Sequence, residues 1–472
     1  MRTRQSPWIV VVGSVAIGLW IWTLTRISPA VAERAAPHFM PAAAAVLIVS
    51  MVVVVWRVDP AYTLSAAIFL TPFAGNWPEL GVPGALSPDR LLLAGGIAAV
   101  LLRAPPVAER PRLQLTGTHW LLALAAIYAL GSAFVVGTLA ERDAFFKLVD
   151  AFGIMPFALF LVAPFAFATQ RQREVLLLTF VLLAAYLGFT TLFEATKADA
   201  LVFPKYILDP NYGIHLGRGR GPFVDAVANG LALYTCAVAC GIAAGTWRSS
   251  LARASAVALG LLCVVGSFLS LERSVWIGVV VGTTTAMLAT RGLRRYLVPL
   301  ALAVTIALSA SLALIPGLSD AAAERTTNSL TVWDRKNLAR AAINMLEARP
   351  LLGFGWGRFS HDSRDYFEQA FDYPLTASKA GVHNTPLNYA VDLGLVGATL
   401  WLLGVVFGVG TALVTRVPPD LVPWRTGLLA IAAASAVVIN AVPPTAWVNR
   451  SLWLFAGVVY SARYGRWRVS RT

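Results

Sequence analysis

Long apolar runs recur along this chain and constrain its fold more than any other feature. A run of roughly twenty residues crosses a bilayer as a helix, because hydrocarbon offers no partner to an unpaired backbone N–H or C=O. About fourteen runs lie near that length or somewhat short of it. They cover 8–25, 40–56, 61–73, 91–102, 120–136, 152–168, 175–193, 226–244, 254–269, 275–289, 297–315, 387–414, 427–441 and 452–460. The composition agrees: 57% of the residues are hydrophobic and 13% charged, where a soluble domain carries about 25% charge. The fold class expected is all-α, a polytopic integral membrane helical bundle of about fourteen spans.

The net charge of +14 would suggest nucleic acid in a soluble protein. No soluble basic domain is visible, so arginine-rich edges facing anionic lipid are the better reading. The positive-inside rule supports the parse. Arg103, Arg110 and Arg112 share one side with Arg171 and Arg173, Arg248 and Arg253, and Arg291, Arg294 and Arg295. Arg416, Arg463, Arg466, Arg468 and Arg471 join them if fourteen spans are counted. Both termini are then cytoplasmic, and segments 197–225, 270–274 and 317–384 face outward. Ala30-Val31-Ala32 resembles a signal-peptidase site, but the preceding core is long and an uncleaved anchor is preferred. Residues 103–112, with Pro105 and Pro106, read as an inner linker. The chain divides into an N-terminal region, 1–225, and a second region, 226–472. Cys236, Cys240 and Cys263 all fall in apolar runs and read as small packing residues.

The polar stretches are where chemistry can reside. The first outer segment holds His215-Leu216-Gly217-Arg218-Gly219-Arg220-Gly221. Glycines beside arginines let the backbone approach an anion that guanidinium forks can grip; the alternative is a flexible basic loop. Next, Glu272 and Arg273 interrupt an apolar stretch running from 254 to 289. Charges at that depth need partners or a function: either a mutual ion pair, or an arginine opening a helix whose N-terminal dipole favours an anion. In 317–384, Thr331-Val332-Trp333-Asp334 resembles a capping box. Leu338, Ala342, Met345 and Leu346 then follow helical spacing, with Lys336, Arg340 and Glu347 opposite, until Pro350 ends the helix. Gly353-Phe354-Gly355-Trp356-Gly357 is a glycine-rich turn with rings expected to be exposed. It is no nucleotide fingerprint, since no strand precedes it. Finally His383-Asn384-Thr385-Pro386 opens an apolar helix along which Asn384, Asn388 and Asp392 stack on one face. His383 is one of 5 histidines, and an imidazole at the water–membrane edge suits proton transfer from a hydroxyl.

The order of these features resembles the O-antigen ligase and polymerase superfamily of bacterial membrane glycosyltransferases. The resemblance runs from about Arg220 to Gly397. It rests on Arg-Gly-x-Phe with downstream Asn229, on Arg273-Ser274, on Arg349-Pro350-Leu351-Leu352-Gly353-x-Gly355-x-Gly357-x-Phe359, and on His383-Asn384 before a helix with Gly394 and Gly397. It implies a GT-C-like bundle in the bacterial cytoplasmic membrane and a glycan donor carried on undecaprenyl pyrophosphate. The acceptor would be a sugar hydroxyl on a glycan or lipid-linked molecule, with neither metal nor cofactor. A flippase and a chain-length regulator are the partners expected. In this likeness Arg220 and Arg273 hold the pyrophosphate, with Arg218 and Arg340 as helpers. His383 is the base, Asn384 orients it, and Gly353, Gly355, Gly357 and Trp356 shape the loop. Glu272 before Arg273 departs from the family pattern. A transporter or flippase for a lipid-linked precursor is the rival reading, as is glycan transfer to a protein acceptor.

Overall fold

The computed structural model describes residues 57–82, 87–102, 115–327, 330–370, 372–375, 381–442 and 445–464. Among them all regular structure is helical. The helices are α1 Pro60–Leu70, α2 Pro88–Leu102, α3 Gly117–Val135, α4 Ile154–Ala166, α5 Gln170–Ala195, α6 Ala226–Thr246 and α7 Ser250–Leu269. They continue as α8 Arg273–Ala289, α9 Leu297–Leu314, α10 Leu318–Thr327, α11 Leu330–Ala348, α12 Thr385–Val405, α13 Val422–Val438 and α14 Ala446–Tyr460. Single helical turns between them carry no label.

Twelve of the expected apolar runs are helices. The first two, the 30–32 motif and the 103–112 linker lie outside the described residues. Eight helical stretches are long and apolar enough to cross a membrane. The others are shorter, α1 at 11 residues and α14 at 15. Over the described residues the chain is therefore an all-helical polytopic membrane bundle.

The core is aromatic. Trp453, Phe455 and Tyr460 of α14 are fully buried. Trp453 meets Phe157 and Phe160 of α4 edge to face, at ring separations of 5.0 and 5.4 Å, the geometry in which ring quadrupoles attract. The cysteines are buried and unpaired as expected. One ionic network crosses the apolar interior. Arg450 of α14 pairs with Asp89 at 3.0 Å and with Asp150, and Arg90 reaches Asp150 at 2.8 Å. Trp77 Nε1 donates to Asp89 at 2.8 Å. Because each charge has opposite partners, the desolvation it suffers is offset.

The helices alternate in direction and sort the connections to two ends. At one end Arg173 pairs with Asp420, and Arg425 donates to the Thr415 carbonyl. The polar segments 197–225, 270–273 and 315–384 gather at the opposite end.

Candidate functional site

The first wall of the site is the 197–225 segment, and Arg220 is its hub. The side chain is 1% exposed. Nε and Nη2 donate to the Ile207 carbonyl at 2.9 and 2.7 Å, Nη2 also to Asp209 O at 2.6 Å, and Nη1 to Tyr212 O at 2.8 Å. The backbone on either side is tied down as well. Glu194 accepts from the Arg220 and Gly221 amides at 3.2 and 3.0 Å, and Asn229 Nδ2 donates to Gly219 O at 3.0 Å. A guanidinium has five N–H donors, and here they gather carbonyls that the loop's single helical turns leave open. Arg220, expected from the sequence as a pyrophosphate ligand, is thus committed to holding its own loop in shape.

The second wall is the turn from α7 to α8. Leu271 adopts a left-handed φ of 52°, and the Gly219 amide donates to Leu269 O at 3.0 Å, which joins the two walls. Glu272 is buried, and its carboxylate ion-pairs with Arg218 across that junction. The sequence left open a pairing with its neighbour Arg273; the structure gives Glu272 a partner from the other wall. His215 stands beside them. Its Nε2 lies 3.8 Å from Glu272 Oε1 and its Nδ1 3.6 Å from Asp225 Oδ1. Asp225 in turn caps α6 by accepting from the Val227 amide at 2.9 Å. Arg273 is half-buried as the first residue of α8, where the helix dipole adds to its own positive charge.

The third wall is the segment between α9 and α12. Helix α11 is described from Leu330 to Ala348; how it is capped falls outside the described residues. Its apolar stripe, Leu338, Ala342 and Met345, is buried against Phe354, Phe359, Val382 and Val391. This helix caps the bundle over the start of α12. Arg340 lies off that stripe, 65% exposed and 3.9 Å from Glu368, on a solvated face.

The glycine-rich turn does something the sequence did not disclose. Helix α12 breaks at Gly394, with φ 67°, and residues 350–355 dock into the break. Phe354 N donates to Val391 O at 2.9 Å and Gly355 N to Asp392 O at 2.8 Å; Leu395 N donates back to Pro350 O at 2.8 Å. The loop thereby satisfies backbone groups that the break exposes. Gly353, Gly355 and Gly357 have φ of 69°, 105° and 78°, a region that glycine enters without steric cost. Trp356 was expected at the surface, with Phe354. Both rings are buried. Trp356 Nε1 donates to Ala144 O at 2.9 Å and its ring stacks on Tyr389, so it anchors the loop. The polar ladder follows the same logic: Asn388 donates to Asp392 at 3.1 Å, and Asp392 accepts from the Phe359 amide at 3.2 Å.

His383 and Asn384 stand where the walls meet. Asn384 Oδ1 accepts from the Leu387 amide at 2.9 Å and caps α12, which fixes the backbone just after His383. Thr385 N donates to Ile439 O at 2.7 Å, tying this mouth to the end of α13. His383 is half-buried and within electrostatic reach of Arg335, His215, Asp334 and Asp225. Burial first, then the cations Arg335 and His215, hold its pKa below the ordinary value of 6.5; Asp334 and Asp225 oppose this. A ring kept neutral at neutral pH can accept a proton.

The structure therefore brings Arg218, His215, Asp225, Glu272 and Arg273 to one end of the bundle with His383. It leaves Arg220 beneath them as scaffold and Arg340 out on the solvated face. His215, Asp225 and Arg335 carry parts that the sequence did not assign. For His215 a signal existed, three residues before Arg218 in the same segment. For Arg335 none did, because helical spacing does not say which face meets which neighbour. No group of histidines, cysteines and carboxylates suited to a metal occurs among the described residues. Residues 258–402 match a family model described as O-antigen ligase. That stretch runs from within α7 to within α12 and contains Arg273, the docked loop and His383. No curated protein matches the chain.

Proposed function

We propose that this chain, which through residues 258–402 belongs to the O-antigen ligase and polymerase superfamily, transfers glycan from an undecaprenyl-pyrophosphate-linked donor to a sugar hydroxyl at the outer face of the bacterial cytoplasmic membrane. Membership supports a membrane glycan-transferring enzyme. The donor, the facing of the site and the chemistry below are our reading. Polymerisation is preferred to ligation, because no sequence segment marks a site for a lipid A core.

The observation that supports the reading is that His383 lies within electrostatic reach of His215 and Asp225, whose segment also carries Arg218 and meets the start of α8 at Glu272. In the proposed reaction the acceptor hydroxyl gives its proton to His383 as its oxygen attacks the anomeric carbon. The bond from that carbon to the pyrophosphate oxygen breaks, and the leaving group keeps the electron pair. Attack opposite the leaving group inverts the anomeric centre. Arg273, at the positive end of α8, and Arg218, oriented by Glu272, meet the charge growing on the pyrophosphate. The two guanidiniums supply electrostatically what a metal ion supplies in other phosphate chemistry. Arg220 contributes by fixing the loop that carries Arg218.

Purified protein in proteoliposomes with a lipid-linked glycan donor gives the test. His383→Ala and Arg273→Ala should each lower transfer by about a hundredfold or more, with membrane insertion unchanged. Transfer at the native rate by His383→Ala would remove the base and with it the mechanism.

A further inference from the structure

Helix α5 ends in a turn that sends the chain back along it. The Ala198 amide donates to Phe193 O at 2.9 Å and the Lys197 amide to Glu194 O at 3.3 Å, the paired bonds that close a helix and reverse its direction. Lys197 takes the left-handed φ of 56° that such a turn needs. The residues after it descend beside the helix. Tyr186 Oη donates to the Phe203 carbonyl at 2.8 Å, so Phe203 lies beside Tyr186 and not beyond Ala195, the last residue of α5. At 1.5 Å per residue, Tyr186 is about 13 Å short of that end. The apolar run 175–193 is about 28 Å long as a helix, close to the thickness of a bilayer's hydrocarbon. Tyr186 stands about 10 Å inside the end of that run.

Burial alternates along the descending stretch. Val202 and Tyr206 are buried in one cluster with Phe193 and Leu80. Leu201 and Phe203 point the other way and are 61% and 65% exposed, and Lys205 is exposed after them. Two large apolar side chains on the outward face of a loop need an apolar neighbour. They extend a stripe already exposed on α5, Leu178, Leu182 and Phe189, which helical spacing puts on the face that carries Tyr186. The backbone is prepared to leave water. Ala198 O accepts from the Leu201 amide at 2.9 Å and Asp199 O from the Val202 amide at 3.3 Å. Lys205 Nζ donates to Asp199 O and Ala200 O at 2.6 and 3.1 Å. The Phe203 carbonyl has Tyr186, Pro204 O has the Ile207 amide at 3.3 Å, and Pro204 has no N–H to satisfy. Non-helical backbone at membrane depth requires such protein donors. The stretch ends in the first wall of the site, where Tyr206 Oη donates to Pro222 O at 2.9 Å and Arg220 holds Ile207 O.

We infer that residues 198–205 form a re-entrant strap that enters the bilayer at the site's end of the bundle, with Leu201 and Phe203 among the acyl chains of phospholipid. Lys197 and Lys205 lie at the level of the phosphates, where long amine side chains settle beside buried apolar neighbours. The exposed stripe of α5 and the strap then make one continuous lipid-facing surface. Because the strap runs directly into Ile207 and Arg220, it sets the height of the first wall above the lipid. The inference needs only that α5 spans a membrane, and it stands apart from the glycan-transfer reading.

The experiment places the full chain in phospholipid vesicles with one introduced thiol at a time, each carrying a nitroxide. The native cysteines are buried, so the label goes to the introduced position. Leu201→Cys and Phe203→Cys probe the strap; both side chains are exposed, so their replacement is expected to be tolerated. Asn211→Cys, exposed in the same segment, is the aqueous reference. Power saturation of the EPR signal reads collisions with oxygen, which concentrates in hydrocarbon, and with a water-soluble nickel chelate, which stays out of it. The oxygen-to-nickel ratio is expected to be severalfold higher at 201 and 203 than at 211. A ratio at either position equal to that at 211 puts the strap in water and overturns the inference. Protection from both reagents overturns it as well, because protein, a second copy of this chain included, then covers the face.

Discussion

Two arginines on adjoining walls illustrate how burial decides what a guanidinium does. Arg220 is enclosed and spends its donors on carbonyls of its own loop, whereas Arg273 stays half-buried at a helix start. Removing Arg220 leaves the buried Ile207 carbonyl unsatisfied, at about 1–3 kcal/mol, and frees the part-buried Asp209 and Tyr212 carbonyls as well. Arg220→Ala is therefore expected to cost about 2 kcal/mol, read as an earlier thermal unfolding in detergent, while the expected effect of Arg273→Ala is the loss of transfer. The same scale gives a pH prediction. His383 has a lowered pKa, so its basic form survives to lower pH than in a free histidine. The acidic limb of kcat/KM, which reports the free enzyme, should then fall below pH 6.5. Arg335→Gln removes a cation that depresses this pKa, so the limb should shift upward; a profile unmoved by the substitution would mean that another group sets it. A reader of the sequence sees His383 and the arginines as candidates, because residue type announces chemistry. The split between ligand and scaffold is decided by carbonyls of neighbouring turns, which residue type does not record.

The helical runs were legible because the bilayer imposes a length and a composition on each one, and those signals survive without knowledge of any neighbour. Helix α11 was also legible from its stripe, Leu338, Ala342 and Met345. The docking of 350–355 into the break of α12 was not legible. Both partners are backbone, some forty residues apart along the chain, and the glycines announce only that turns exist. The burial of Trp356 follows from that same docking, since the loop carries the indole to the Ala144 carbonyl. The junction makes a sharp prediction. A Cβ on Gly394 would sit 2.1 Å from Leu351 O, and one on Gly353 2.5 Å from Val391 O. Both positions also have left-handed φ, which costs a non-glycine residue about 1–2 kcal/mol before any clash. Gly394→Ala and Gly353→Ala should each destabilise by about 2 kcal/mol or more and release the loop. Limited proteolysis within 350–383 measures this; cleavage no faster than in the native protein would show that the docking is dispensable.

For the whole molecule, the central question is which end of the bundle faces out. The arginine pattern predicts that 171–173, 248–253 and 291–295 are cytoplasmic, and the structure sets the candidate site at the opposite end. The Arg450 network runs between helices from both sides of the 225 division, so the N-terminal helices cannot be turned independently of the rest, and one measurement of sidedness orients the bundle. The cysteines make that measurement clean. All three are buried, so a thiol introduced at the surface is the one a membrane-impermeant maleimide reaches. Asn211 lies exposed in the 197–225 segment and Ser250 lies exposed at the start of α7, at the opposite end. In spheroplasts Asn211→Cys should be labelled directly, and Ser250→Cys only after permeabilisation. The reverse pattern would put His383 and its arginines in the cytoplasm, on the wrong side of the membrane from a flipped donor, and the transfer reading could not stand. Direct labelling of the first variant alone leaves the imidazole and the guanidiniums at the surface to which the proposed lipid-linked donor would bring its pyrophosphate.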